Sequence, residues 1–480
     1  MVQVFQSATY YRQKVEEQIH HLELLLNELL NEIPPSGPFK FAEANIKLIE
    51  IVKKFFLKEI QQSTVDEDII SRCKKYLDFL QKFTKNVVPF LESINEAFIP
   101  SELLFSLTHQ TKQLAKKLNF SDNFDLRLCP RWDFNYGIYA YKNYIQTSLD
   151  MFPVDLFPEL LKGLPSFPEL FIFINYPRTE SRNILLHSII MHELGHLVDF
   201  QTCISDTICL KINIDETSFL KLYNKEKESE KSKQKDMQAT DDELIQSLFD
   251  KCLEITKKWL SEFVCDSIAT HLLGPPYFFA LFELSTLTDN MYRYSECHPS
   301  SGIRLRFISD ELYEMYLKNN NKLSNEKESE LILNLYEYLK QKEKANAFKP
   351  TSSGNDYFQV VYETILPYRT LLQKTVRQKI NTLSYDVNKF NNEVDDLFKD
   401  IKSGVPPSEF RSQHTNKNSS ASFASILNCG WLACLFGMDD FYSVVSATKD
   451  ADKLKALDNF NELLFKSIES SYILQEWLKK

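Results

Sequence analysis

Apolar residues recur at three- and four-residue spacing over most of the 480-residue chain, which marks amphipathic helices. Val15 to Ile33 reads as helix, with Ile19, Leu22, Leu26, Leu29 and Leu30 on one face, until Pro34-Pro35-Ser36-Gly37-Pro38 stops it. Two more helices follow, over about Phe41–Gln61 and Asp66–Ala97, with Pro89 as a candidate break. Near Leu118 the period changes to two. Phe124 to Cys129 alternates as a strand, Phe134 to Tyr144 is rich in β-formers, and Leu170 to Tyr176 is a continuous apolar run ended by Pro177. The helical period returns from Asn183 to Phe200, for which Thr179 or Ser181 is a candidate cap, and from about Asp241 to Leu273, where Gly274-Pro275-Pro276 ends it. Beyond Arg304 the chain reads as helix to its end, with breaks near 318–325, 349–355, 404–407 and 412–420.

This pattern predicts a mainly α fold with a small β-sheet (α+β) in three regions: helical 1–117, a mixed core 118–310 with a charged insertion near 216–240, and helical 311–480. The low glycine count, 10 in 480, argues against a turn-rich all-β fold.

One turn of the Asn183–Phe200 helix carries chemistry. His192 and His196 are four residues apart, so both imidazoles leave one face and can reach a single zinc ion. Glu193 stands beside the first ligand, placed to take a proton from the water that zinc activates. A zinc hydrolase uses three protein ligands, and Glu262 is the candidate third. Asp266, one turn further, is the candidate acceptor of the other ring N–H of His192. The apolar neighbours Phe263, Val264, Ile268 and Ala269 argue against a solvent-facing acidic pair. The alternative for the histidines is a pair satisfied inside a core helix.

Charge and cysteine usage narrow the setting. The net charge is −10 with no basic stripe, which excludes nucleic acid as a main partner. Nine cysteines are scattered without a CxxC pair, and the first residues lack a basic n-region and an apolar h-region. A reducing, cytoplasmic location is expected. The uncharged run Asn418 to Met438 is long enough for a membrane span, but its serines and asparagines and the following Asp439-Asp440 predict a buried helix, so no stable span is expected.

His192-Glu193-Leu194-Gly195-His196 followed by Glu262-x-x-x-Asp266 resembles the gluzincin metallopeptidases, the thermolysin-like clan. In that clan the Glu of the first motif is general base and the downstream Glu is third ligand, which maps onto Glu193 and Glu262. Glu262-Phe-Val-Cys-Asp266-Ser-Ile-Ala269, followed by His298-Pro299 and Arg304, is also similar to the CAAX prenyl protease family. Cys265 stands where that family has Ala, the gap from His196 to Glu262 is long, and the membrane spans of its best-known members are absent. The likeness covers Leu170 to Phe307 and implies a zincin-like core.

Other candidates complete the expectation. His298 is a candidate oxyanion donor, with Tyr292 and Tyr294 as rivals and a structural role before Pro299 as the alternative. Arg304 is a candidate for substrate binding or for a salt bridge to a nearby acid. The run Phe171–Tyr176, with Phe173 and Asn175, is expected to align an extended peptide as an edge strand. The expected activity is zinc-dependent hydrolysis of peptide bonds in a peptide or protein substrate. The alternatives are a zinc-binding sensor or scaffold without peptidase activity, and a helical interaction protein with a chance motif. A protein partner on the helical regions fits each of these.

Overall fold

The computed structural model describes residues 7–32, 38–96, 101–118, 124–131, 135–140, 170–231, 239–317, 326–350, 356–380, 385, 387–411 and 418–478. The fold is mainly α, with 79% of the described residues helical and few strands. The expected breaks at 318–325, 351–355 and 412–417, part of the charged insertion (232–238) and the tail of the Tyr-rich run (141–144) lie outside the described residues.

The chain divides into two units, 1–99 with 121–181 and 100–120 with 182–480. These bounds cross those drawn from the sequence, because the strands share a core with the N-terminal helices and the fourth helix does not.

In the first unit, α1 (Ala8–Glu32) begins two turns before its expected start at Val15, while α2 (Pro38–Gln62) and α3 (Asp66–Glu96) follow the expected spans. Helix α3 runs through Pro89. Val15, Ile19 and Leu22 of α1 meet Val52 and Phe56 of α2 and Tyr76, Phe79 and Phe83 of α3 in one buried core. Three strands, β1 (Phe124–Arg131), β2 (Gly137–Ala140) and β3 (Leu170–Pro177), form a sheet in the order β1-β3-β2. Strand β1 runs parallel to β3 from Phe124↔Leu170 to Arg131↔Pro177, and β2 runs antiparallel to it. Cys129 and Phe173 insert into the helical core.

Strand β3 is therefore the middle strand, which corrects the edge-strand expectation. Its backbone groups already pair on both sides, so it has no free edge at 172–175 to add a peptide. Phe173 is a core side chain at 2% exposure, and Asn175 is buried one pleat further along the same face. Neither side chain is presented as a substrate contact.

The second unit begins with α4 (Ser101–Leu118) and resumes after residue 181. The helix expected from Asn183 starts several residues later. Asn183 Oδ1 accepts from the Leu186 amide at 3.2 Å and starts a 3-10 turn over Leu186–Ile189, and α5 then covers Ile190–Thr202. Next come α6 (Ile204–Cys209) and α7 (Glu216–Lys231).

Helix α8 (Asp241–Leu273) is the axis of this unit. Its ends are set by local chemistry. Thr240 and Glu243 form a reciprocal capping box, Asp241, Asp242 and Glu243 complement the helix dipole, and Gly274 ends it at φ 71°. Pro275 and Pro276 then open α9 (Pro275–Leu287). Around α8 pack α5, α9, α10 (Ser301–Leu312), α12 (Asp356–Ile365) and α13 (Arg369–Ile380), with α11 (Glu326–Lys344) laid against α10. The chain closes with α14 (Val387–Lys402), the short antiparallel pair β4 (Glu409–Arg411) and β5 (Asn418–Ser420), α15 (Phe423–Phe436), α16 (Met438–Val444) and α17 (Asp450–Leu478). Helix α15 is the expected buried helix, with Ala424 through Ala433 all buried. Among the described residues no helix is long and apolar enough to cross a membrane.

Candidate metal centre

The centre forms where α5 crosses α8, and a glycine permits the crossing. A Cβ placed on Gly195 would stand 2.9 Å from Cys265 Cα and 3.1 Å from Cys265 O. Gly195 therefore lets the two backbones approach, which puts the flanking His192 and His196 within reach of Glu262. The two imidazoles have ring centroids 4.9 Å apart. His192 Nε2 lies 3.2 Å from Glu262 Oε2, and His196 Nε2 lies 3.4 Å from Glu262 Oε1. Two donors on a tetrahedral ion at about 2.05 Å stand about 3.3 Å apart, so the spacing is that of a ligand set. His192, His196 and Glu262 form a group whose ligand atoms lie within 4.8 Å of one another.

The other ring nitrogen of His192 is fixed as the spacing predicts. Its Nδ1 lies 2.9 Å from Asp266 Oδ1, so an N–H on Nδ1 donates to the carboxylate, and an ion bound beside Glu262 would meet the Nε2 lone pair once that nitrogen has lost its proton. Tyr277, on α9, was not foreseen. Its hydroxyl donates to the same Asp266 oxygen and lies 3.2 Å from His192 Nδ1, and its ring stacks parallel to the imidazole at 6.2 Å. No periodicity marks this tyrosine. The only sequence signal is its place just after the Gly-Pro-Pro stop that turns α9 back along α8.

Arg304 clamps the acids. Nε and Nη2 donate to the two Asp266 oxygens at 2.9 and 2.7 Å, and Nη1 lies 3.4 Å from Glu262 Oε2. Ser300 caps α10 through the Ile303 amide and so fixes the turn that carries this arginine. Of the two roles considered for Arg304, the structure shows the salt bridge. Its fork is spent on Asp266 and does not stand open to substrate.

His298 is also brought to the site. Its Nε2 lies 3.7 Å from Glu262 Oε1, and the side chain is 60% exposed. Its loop is held by the Trp259 indole N–H, which donates to Ser295 O at 2.9 Å, and by a tight turn from Ser295 to His298. Asp199 is not a ligand. It accepts from the Ser205 amide and the Ser261 hydroxyl, both at 2.9 Å, and so ties the end of α5 to α6 and α8.

Burial and charge explain the titration of these groups. Burial raises a carboxyl, yet His192, His196 and Arg304 hold Glu262 well below its ordinary value. Arg304 and His192 likewise overcome burial at Asp266 and hold it at about 2. Burial and Arg304 press His192 down, but Glu262 and Asp266 outweigh them and push it up to about 9. Burial raises the Glu193 carboxyl, with His192 and His196 opposing.

The residues fit a divalent cation on two further counts. With both imidazoles neutral, as ligation of a metal requires, ionised Glu193, Glu262 and Asp266 carry three negative charges against the single positive charge of Arg304, and a divalent cation closes that difference. Glu262 Oε2 is buried without a formed hydrogen bond, the state in which a ligand oxygen is left when its partner is an ion. The site residues thus brought together are His192, Glu193, His196, Glu262, Asp266, His298 and Arg304, while Phe173 and Asn175 belong to the first unit. No family model, curated protein or solved structure matches this chain.

Proposed function

We propose that this chain is a zinc-dependent metallopeptidase that cleaves peptide bonds in a peptide or protein substrate. The observation that carries the reading is the convergence of His192, His196 and Glu262 with a buried carboxylate, Glu193, on the same turn of helix. His192, His196 and Glu262 would hold the ion, which when bound supplies Lewis acidity toward the scissile carbonyl and toward water.

The chain's own groups do the rest. Glu193 takes a proton from the attacking water and returns it to the leaving amine. Asp266 and Tyr277 keep the His192 ring in one tautomer and one orientation. Arg304 neutralises Asp266, so that the burial of two adjacent acids is tolerated. His298, exposed and close to Glu262, supplies an N–H donor for the oxyanion that develops on the substrate carbonyl. A structural metal needs no base beside its first ligand, so Glu193 favours hydrolysis over a scaffold.

The test compares zinc-loaded wild type with Glu193→Gln on a complex peptide mixture read by mass spectrometry. Wild type should generate new termini, and Glu193→Gln should lose about 10²–10⁴-fold in rate while keeping its zinc. Equal cleavage by both, or none by zinc-loaded wild type, would defeat the proposal.

A further inference from the structure

The second unit holds a cavity that no metal-site residue lines. It lies among α4, the N-terminus of α15 and α17, and measures about 480 Å³, within the ~300–1,000 Å³ range of small-molecule sites.

Its walls are polar but uncharged. Ser106, Gln110 and Gln113 come from α4, Ser425 from the first turn of α15, and Tyr472 and Gln475 from α17. Among the described lining residues none is Lys, Arg, Asp or Glu, and His109, the one titratable base, already has Glu476 at 3.9 Å. A charged ligand would therefore lose water without gaining a counter-ion, whereas hydroxyl and amide groups would exchange hydrogen bonds one for one.

Part of the wall is prearranged. Ser422 Oγ accepts from the Ser425 amide at 3.1 Å, Gln475 Nε2 donates to Ala421 O at 3.2 Å, and Asn428 Nδ2 donates to the hydroxyl of Tyr385, another lining residue, at 3.0 Å. Phe423 and Ala424, whose amides at the start of α15 have no intrahelical acceptor, also line the cavity. Ser106 of α4 lines the cavity as well and is 93% buried. Among the described residues nothing donates to or accepts from the Ser106 or Gln110 side chain. The Ser106 hydroxyl and the Gln110 amide are therefore free to bond whatever occupies the cavity. Phe423, Leu272 and Ile468 add apolar surface, as the mixed faces of a sugar ring require.

We propose that this cavity is a binding site for a neutral polyhydroxylated molecule, bonded through vicinal hydroxyls to Ser106, Gln110 and the first turn of α15. Two sources offer that chemistry, a free sugar and the ribose of a nucleoside. The inference does not rest on peptidase activity.

Saturation-transfer NMR on the full chain tests it, with maltose, myo-inositol and adenosine as probes and maltose 6′-phosphate, myo-inositol 1-phosphate and adenosine monophosphate as their charged counterparts. At least one neutral probe should receive saturation, and its phosphorylated counterpart should receive less. Maltose or inositol alone would identify a sugar, and adenosine alone a nucleoside. Ser106→Leu, which fills the space, and Gln110→Ala, on a half-buried position, should each weaken binding about tenfold, the loss expected for one or two hydrogen bonds. No transfer to any neutral probe, stronger binding of the phosphates, or undiminished binding in both variants would overturn the proposal.

Discussion

Asp266 is the residue on which the others converge. One carboxylate with no exposure receives the His192 ring, the Tyr277 hydroxyl and two nitrogens of Arg304. Its removal should therefore disturb the metal without removing a ligand. Zinc affinity, measured by chelator competition, should fall about 10–100-fold in Asp266→Ala and by less in Tyr277→Phe, and Glu262→Ala should be worse than either. Wild-type affinity in Glu262→Ala would place the third ligand elsewhere. A second residue-scale prediction concerns pH. Glu328 is fully buried, and burial pushes its carboxyl up to about 8, with the Asn428 amide opposing. Between its ordinary 4.5 and that value the folded state holds a proton that the unfolded chain has released. Stability should thus fall as pH rises through this window and level off above it. Urea unfolding at several pH values should show the decline in wild type and a flatter profile in Glu328→Gln. Parallel profiles would remove Glu328 as the cause.

At the scale of elements, the sequence was legible where the determinants are local. Helix α8 ends where Thr240, Gly274 and Pro275 say it should, because caps and stops act within a few residues. The two histidines were legible because one helical turn carries both, and Asp266 because it shares a face with Glu262. The start of α5 was not, since the 3-10 turn at Leu186–Ile189 is set by Asn183 and not by the apolar period. The central position of β3 was not legible either, because it depends on β1 and β2, whose pairing no short window contains. Gly195 and Tyr277 act across helix contacts, and nothing in their own neighbourhoods announces it. The crossing at Gly195 yields a prediction. Gly195→Ala drives a methyl into Cys265, so it should cost about 1–3 kcal/mol in stability and weaken zinc binding as the two helices part. Thermal melting and chelator competition read the two effects. Unchanged zinc affinity would mean that the close approach does not serve the site.

On the scale of the whole molecule, a small set of buried charges lies in the larger unit. The mainly α class was legible from the helical period and the scarce glycine, whereas the division into units was not. The strands share the core of α1, α2 and α3, a long-range choice made by Cys129 and Phe173. A metal held only by the folded state stabilises it by mass action, about 2.7 kcal/mol when free zinc is a hundred times its dissociation constant. A chelator should accordingly lower the melting temperature of wild type and leave that of the double variant His192→Ala, His196→Ala unchanged; equal shifts in both proteins would place the stabilising metal elsewhere.

The central claim is that His192, His196 and Glu262 make one metal site. Metal analysis of the protein purified with zinc, by inductively coupled plasma mass spectrometry after gel filtration, tests it directly. Wild type and Glu193→Gln should each carry about one zinc per chain, and His196→Ala and Glu262→Ala should carry little, as expected for a single three-ligand site. Zinc below about a tenth of an equivalent in folded wild type, or a full equivalent retained by both ligand variants, would contradict it.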